Sequence, residues 1–323
     1  VRGITIARLV ELYLAWALPY YSPSEGVTIH AVLELLRRNF GGHSALRFGT
    51  GKLRELRDAM IARGWARSYI NKQMHRLCAM FRWGAGNQFI PAGVYEALKT
   101  IEPLKRAHTD APESARVQPD READVAALRP FVSRQVFAAI ELMRLSGARA
   151  GEILSLRPGD IDRSGKIWQT RLREHKTDRF GIDRKIFFGP QAQAVLRPWL
   201  LRLDDAFLFS PREAEDFRLR EKTAARRTPL NQGRSATGRR SPLLGEKYTV
   251  ASFRRAIARA CQRATVSHWH PHQLRHTAAT RIRRRFGLEE AQLVLGHSSA
   301  AVTDAVYAER DQNKILPVII ELG

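Results

Sequence analysis

The spacing of apolar residues changes character along this chain, and that change limits the folds open to it. From Thr5 to about Leu98 the pattern is helical throughout. Ile6, Leu9, Leu12 and Tyr13 recur at three- and four-residue steps, Val32, Leu35 and Leu36 begin a second such face, and Leu53, Leu56, Met60 and Ile61 make a third that ends near Gly64. Ser68 is placed to cap a fourth helix running through Ile70, Met74, Leu77 and Phe81. Beyond Glu102 the rhythm lapses, and Pro103, Pro112 and Pro119 interrupt any helix, which reads as a linker over residues 103–122. A helical pattern resumes from Val125 to Leu145. Ile167-Trp168-Gln169-Thr170 and Lys185-Ile186-Phe187-Phe188 then read as strands about a turn containing Gly181. Helical spacing returns from Val250 to Arg263, with Phe253 and Ile257 on one face. The expected fold is mainly α with a small β-sheet: a helical domain over residues 1–102 and a mixed α+β domain over residues 123–323.

A chain of 323 residues is long enough for two such domains, each with its own core. Its 54 Lys and Arg against 32 Asp and Glu give a formal charge of +22, and the natural partner of such a field is a polyanion, most commonly nucleic acid. Lys222, Arg226, Arg227, Arg234, Arg239 and Arg240 fall in a stretch free of acidic residues, read as an insertion near 222–245. A solvated excursion and a direct DNA contact both fit it. No run of 18 or more apolar residues occurs, so no membrane partner is expected. The opening Val1-Arg2-Gly3-Ile4-Thr5 has no signal-like apolar core, and Cys78 and Cys261 are too few and too far apart for a disulfide framework. A reducing cytoplasm is the expected compartment.

The chemistry-bearing residues gather late. His272, Arg275 and His276 lie in one helical stretch, Leu295-Gly296-His297 follows, and Tyr307 stands ten residues beyond His297. A phenolate can attack phosphorus, imidazoles can orient groups or move protons, and guanidinium forks can hold phosphate oxygens bidentately. Upstream, Gly147-Ala148-Arg149-Ala150-Gly151-Glu152 sets an arginine between small residues at the start of an apolar helix, where a phosphate could approach closely. Taken alone, that segment fits a tight turn with a solvated arginine equally well. His268, His270, His272 and His276 invite a zinc reading, but no Glu stands between His272 and His276 and the two Cys are not spaced as ligands, so no metal is expected.

In their order along the chain, the Gly-x-Arg-x-Gly-Glu segment, a Lys-Thr pair at Lys176-Thr177, His-x-x-Arg, Leu-Gly-His and a late Tyr resemble the tyrosine recombinases, or phage-type integrases. The match runs from about Val125 to Arg310, and the helical region before it looks like the family's SAM-like core-binding domain. The resemblance implies that Arg149 and Arg275 clamp the phosphate, Lys176 protonates the leaving 5′ oxygen, His272 and His297 orient the phosphate and assist proton movement, and Tyr307 is the nucleophile. Glu152 matches a supporting acidic position. The separation of ten between His297 and Tyr307 departs from the commoner family spacing of nine, and Ala308-Glu309-Arg310 follows the tyrosine where a Thr-His pair is usual.

What the resemblance implies is a site-specific recombinase acting on double-stranded DNA through a 3′-phosphotyrosyl intermediate, without metal, ATP or other cofactor. It also implies a homotetramer on paired sites, and a bacterial, nucleoid-associated location. The alternatives are a topoisomerase-like or telomere-resolving strand transferase and a catalytically inactive DNA-binding regulator. Lys72 and Arg76, upstream of Trp83, are candidate DNA contacts, although a Trp at helical spacing is more often core. The run Arg281, Arg283, Arg284, Arg285 is too dense for one buried face, so Arg281 and Arg284 are assigned to phosphates. The apolar tail with Ile315, Leu316, Val318, Ile319 and Ile320 is expected to dock on its own or a neighbouring subunit.

Overall fold

A computed structural model describes residues 3–114, 122–172, 184–226 and 244–296. Of the residues singled out above, Lys176, Gly181, His297, Tyr307, most of the basic insertion and the apolar tail lie outside these ranges. The chain divides into two compact units, Val1–Arg116 and Val117–Gly323.

The first unit is built from α1 (Ile6–Tyr20), α2 (Pro23–Phe40), α3 (Thr50–Ala62), α4 (Arg67–Gly86) and α5 (Ala92–Lys99). Local chemistry sets the starts of α1 and α2: the Thr5 and Ser22 side chains accept hydrogen bonds from the Arg8 and Glu25 amides. Such caps are worth about 1 kcal/mol each. Ile6, Leu9, Leu33, Leu36, Leu53, Leu56, Leu77 and Phe81 are buried in one core, with α4 packed against α1, α2, α3 and α5. Trp83 belongs to this core, its ring 5.5 Å from both Tyr13 and Phe89. Ser68 does not cap α4; the helix starts one residue earlier, at Arg67, from Ala66.

The stretch read as a linker is in its first half bound to this unit. Asn71 exchanges hydrogen bonds with both the amide and the carbonyl of Leu104. Arg67 donates to the Leu104 carbonyl and pairs with Glu113, and Ala111 is buried. Proline removed the helical rhythm there without removing the contacts, since side chains on α4 satisfy the irregular backbone.

The second unit centres on α7 (Arg134–Ser146), which packs against α9 (Pro190–Leu196) and α12 (Pro271–Arg285). Before it, Pro130 splits the expected continuous helix into α6 (Glu122–Ala127) and a short 3₁₀ turn, as a missing amide requires. After it come α8 (Ala150–Leu154), a three-stranded antiparallel sheet in the order β1 (Ile161–Asp162), β2 (Trp168–Arg171), β3 (Lys185–Phe188), then α10 (Pro211–Ala224), α11 (Val250–Ala264) and α13 (Leu288–Leu295). The register sets Trp168 opposite Phe188 and Thr170 opposite Ile186. Ile186 and Phe188 face the core, which also buries Ile140, Leu142, Phe209, Phe253, Ile257 and Leu274. Strand β1 escaped the sequence because two residues carry no alternation.

Candidate active site

The end of α7 positions the first half of the site. Gly147 terminates the helix at φ 66°, a left-handed conformation that glycine adopts without penalty. A methyl group there would lie 3.0 Å from Leu295 Cδ2. Gly147→Ala is therefore expected to destabilise the second unit by about 1–2 kcal/mol, lowering its thermal midpoint by a few degrees in a calorimetric scan. An unchanged midpoint would show that the turn relaxes freely.

The turn releases Arg149 at the start of α8, where Glu152 folds back on it. One carboxylate oxygen accepts the Arg149 amide and the other accepts its Nη1, both at 2.8 Å. Glu152 is buried, whereas about a third of the Arg149 side chain is exposed. The small neighbours read from sequence thus leave an arginine fork accessible and aimed by a carboxylate.

The second half arrives on α12. Arg275 is wholly buried, and its two terminal nitrogens donate to the carbonyls of Gly147 and Leu295, each at 2.7 Å. This one side chain ties together the ends of α7 and α13. Burial also distinguishes it from Arg149, with which the sequence reading paired it as a phosphate clamp: the Arg149 fork is partly open to solvent, and the Arg275 guanidinium is enclosed.

His272 lies one residue into α12, with its ring 5.1 Å from that of His276. Desolvation, reinforced by the Arg275 and Arg149 charges, lowers the His272 pKa from its ordinary value. His276 is buried, and desolvation, then His272 and Arg275, push its pKa down to about 4. Both imidazoles are neutral at pH 7. A histidine held neutral in the folded chain stabilises it fully above the unfolded pKa near 6.5, and that contribution is lost as pH falls toward 4. Stability measured by urea melts is therefore expected to decline between about pH 6.5 and 4, and His276→Asn to flatten that decline; an equally steep decline in the variant would remove His276 as its source.

Arg149, Glu152 and His272 line a cleft of about 930 Å³ whose other walls carry Arg157, Arg171, Lys247 and Arg254. Arg157 and Lys247 both approach the Phe207 ring, at 4.4 and 4.8 Å from its centroid. The sequence reading missed these four cations, which are scattered over almost a hundred residues. It also missed Arg184, whose signal was present: the position is in phase with the buried Ile186 and Phe188 of β3.

Other sequence candidates fall elsewhere. Arg76 is engaged by Glu25 through two hydrogen bonds, at 2.7 and 2.9 Å, which fasten α4 to α2 and commit its fork within the first unit. Lys72, Arg281 and Arg284 are exposed, and Arg281 donates to the Arg144 carbonyl. Among the described residues no group of three or more His, Cys, Asp or Glu could hold a metal ion, and no helix is long and apolar enough to cross a membrane.

Residues 125–314 match the model of the phage integrase family. The chain belongs to that family. Among curated relatives, the tyrosine recombinase XerC of Corynebacterium glutamicum is 24% identical over 274 residues, which cover 83% of this chain and 76% of the relative. XerC of Corynebacterium efficiens is 28% identical over 184 residues, and there the match spans about half of each protein, 57% of this chain and 49% of the relative. The fold is that of solved integrases. A lambda integrase dimer bound to a COC′ core site superposes with TM-score 0.68 at 14% identity, covering 96% of this chain and 97% of that one. The Tn1549 transposon integrase with circular-intermediate DNA gives 0.69 at 15%, covering 99% and 100%. This integrase-family chain is thus mainly helical with a small sheet, as its sequence pattern leads one to expect.

Proposed function

We propose that this tyrosine recombinase cleaves and rejoins double-stranded DNA through a 3′-phosphotyrosyl intermediate, acting as a homotetramer on paired sites. The observation that carries the reading is the convergence of two distant motifs: Arg275 donates to the carbonyl of Gly147, two residues before Arg149, across 128 residues of chain. With Glu152 and His272 this builds a buried positive centre beside an accessible arginine fork. The solved relatives lend support for the partner, since they include a lambda integrase tetramer bound to a Holliday junction, with TM-score 0.66.

In this mechanism the Tyr307 hydroxyl gives its proton to a neutral imidazole, His272 or His297, as its oxygen attacks phosphorus and the bond to the 5′ oxygen breaks. Lys176 gives that oxygen its proton, leaving a 3′-phosphotyrosyl bond and a free 5′ hydroxyl. Charge growing on the non-bridging oxygens is met by the Arg149 fork, by His272 and His297, and by the field of buried Arg275. Because guanidinium groups neutralise that charge, the step needs no metal, and because the phosphotyrosyl bond conserves the energy of the broken one, rejoining needs no ATP.

The test is covalent capture on duplexes drawn from DNA flanking the chain's own gene, with adduct ends mapped by sequencing. Protein joined to a 3′ phosphate, and exchange between two copies of the mapped site, are expected. Adducts that relax a single site without exchange would favour a topoisomerase-like enzyme, and tight binding without adducts a regulator.

A further inference from the structure

Arg184 precedes β3 and is 94% buried, yet its Nε and one terminal nitrogen, Nη2, have no hydrogen-bond partner among the described residues. Its other terminal nitrogen, Nη1, donates to the Val294 carbonyl at 3.1 Å, one residue from the end of α13. Nη2 lies 3.8 Å from the Glu152 carboxylate, the group that also holds Arg149. A methyl group at Gly296 would fall 2.5 Å from Nη1, so the backbone just before His297 closes directly on this guanidinium. Spare buried donors are costly, and a molecule retains them where another arrangement uses them.

We infer that Arg184 is a positioning residue: it takes over the Glu152 carboxylate when Arg149 turns its fork to a DNA phosphate, and it holds the α13 end that leads to His297. The inference rests on the strand-transfer reading above. As the Arg149 fork releases Glu152 Oε1, the buried carboxylate loses a charged donor and keeps the Arg149 amide on Oε2; Nη2, which lies 3.8 Å from Oε2, needs to close by only about 1 Å to supply a charged donor in its place. Desolvation already lowers the pKa of Arg184, with the Arg275 and Arg149 charges adding to it and the Glu152 carboxylate opposing them. A full bond to Glu152 relieves that burden at the moment Arg149 is withdrawn.

The experiment is single-turnover adduct formation at saturating concentration of the nicked duplex on which the native chain is trapped. Arg184→Gln is expected to slow it roughly ten- to a hundredfold while DNA affinity stays within about threefold. In a Glu152→Gln background the same change is expected to cost less than about threefold, because the carboxylate through which Arg184 acts is gone. Arg184→Lys should recover most of the rate, and Arg184→Met, which keeps the apolar stem and removes the charge, carries the same cycle should the Gln variant melt below the assay temperature. A native rate in Arg184→Gln, equal slowing in both backgrounds, or affinity falling in step with rate would overturn the proposal. Absence of any adduct with the native chain would instead overturn the strand-transfer reading, and this inference with it.

Discussion

A chain carrying Tyr307→Phe is expected to bind its DNA site with native affinity and to form no covalent adduct, a loss of at least about a thousandfold in cleavage rate. Phenylalanine keeps the ring and removes only the oxygen that would bond to phosphorus. Affinity is expected to hold because phosphate contacts from basic side chains, which this change leaves intact, supply most of it. Among the described tyrosines, Tyr248 is the one nearest in sequence to the His-x-x-Arg motif, and its surroundings disqualify it. It is partly buried against the second core, its hydroxyl shares a hydrogen bond of 3.2 Å with Ser133, and burial raises its pKa. An adduct that survived Tyr307→Phe and vanished in Tyr248→Phe would overturn the assignment.

Substitution of Arg275 is expected to cost both reaction and fold, which separates it from Arg149. Arg275→Met leaves the carbonyls of Gly147 and Leu295 without the donors that reach both in the native chain. Urea melts should show a loss of roughly 2–5 kcal/mol, and any folded protein should cleave at least about a hundredfold more slowly. Arg275→Lys retains the charge but has a single nitrogen to serve two carbonyls, so it should remain well below native stability. Arg149→Lys is expected to slow cleavage by a similar factor with stability within about 1 kcal/mol, since its partly exposed fork pairs with Glu152 three residues along the same segment. Equal destabilisation by the two lysine variants would remove the distinction between them.

Much of the fold was legible because helical spacing is a local property. Ile6, Leu9 and Tyr13, or Phe253 and Ile257, announce a buried face from within a few turns. The limits were equally local. Pro130 ended a helix that apolar spacing alone carried through, and Ser68 looked like a cap although α4 began before it. Residues 103–114 looked unattached because their partners, Arg67 and Asn71, lie more than thirty residues away. The site shows the same division. Motif order named Arg149, Glu152, His272 and Arg275, but could not show that one arginine is partly exposed and the other enclosed, which depends on where the ends of α7 and α13 meet. Arg184 belongs to no short motif, and only its strand phase marks it.

The crowding around Glu152 links ligand occupancy to folding. Arg149 and Arg184 both face this one carboxylate, and Arg275 is close enough to bear on Arg184. Among the described residues, three guanidinium groups gather about the Glu152 carboxylate, a repulsion the folded chain must carry and the unfolded chain escapes. Any multivalent anion that settles in the cleft discharges that repulsion and favours the folded form, by about 2.7 kcal/mol at a hundredfold excess over its dissociation constant. Sulfate should therefore raise the melting temperature more than sodium chloride of equal ionic strength, so that thermal stability reports anion occupancy before any DNA sequence is known.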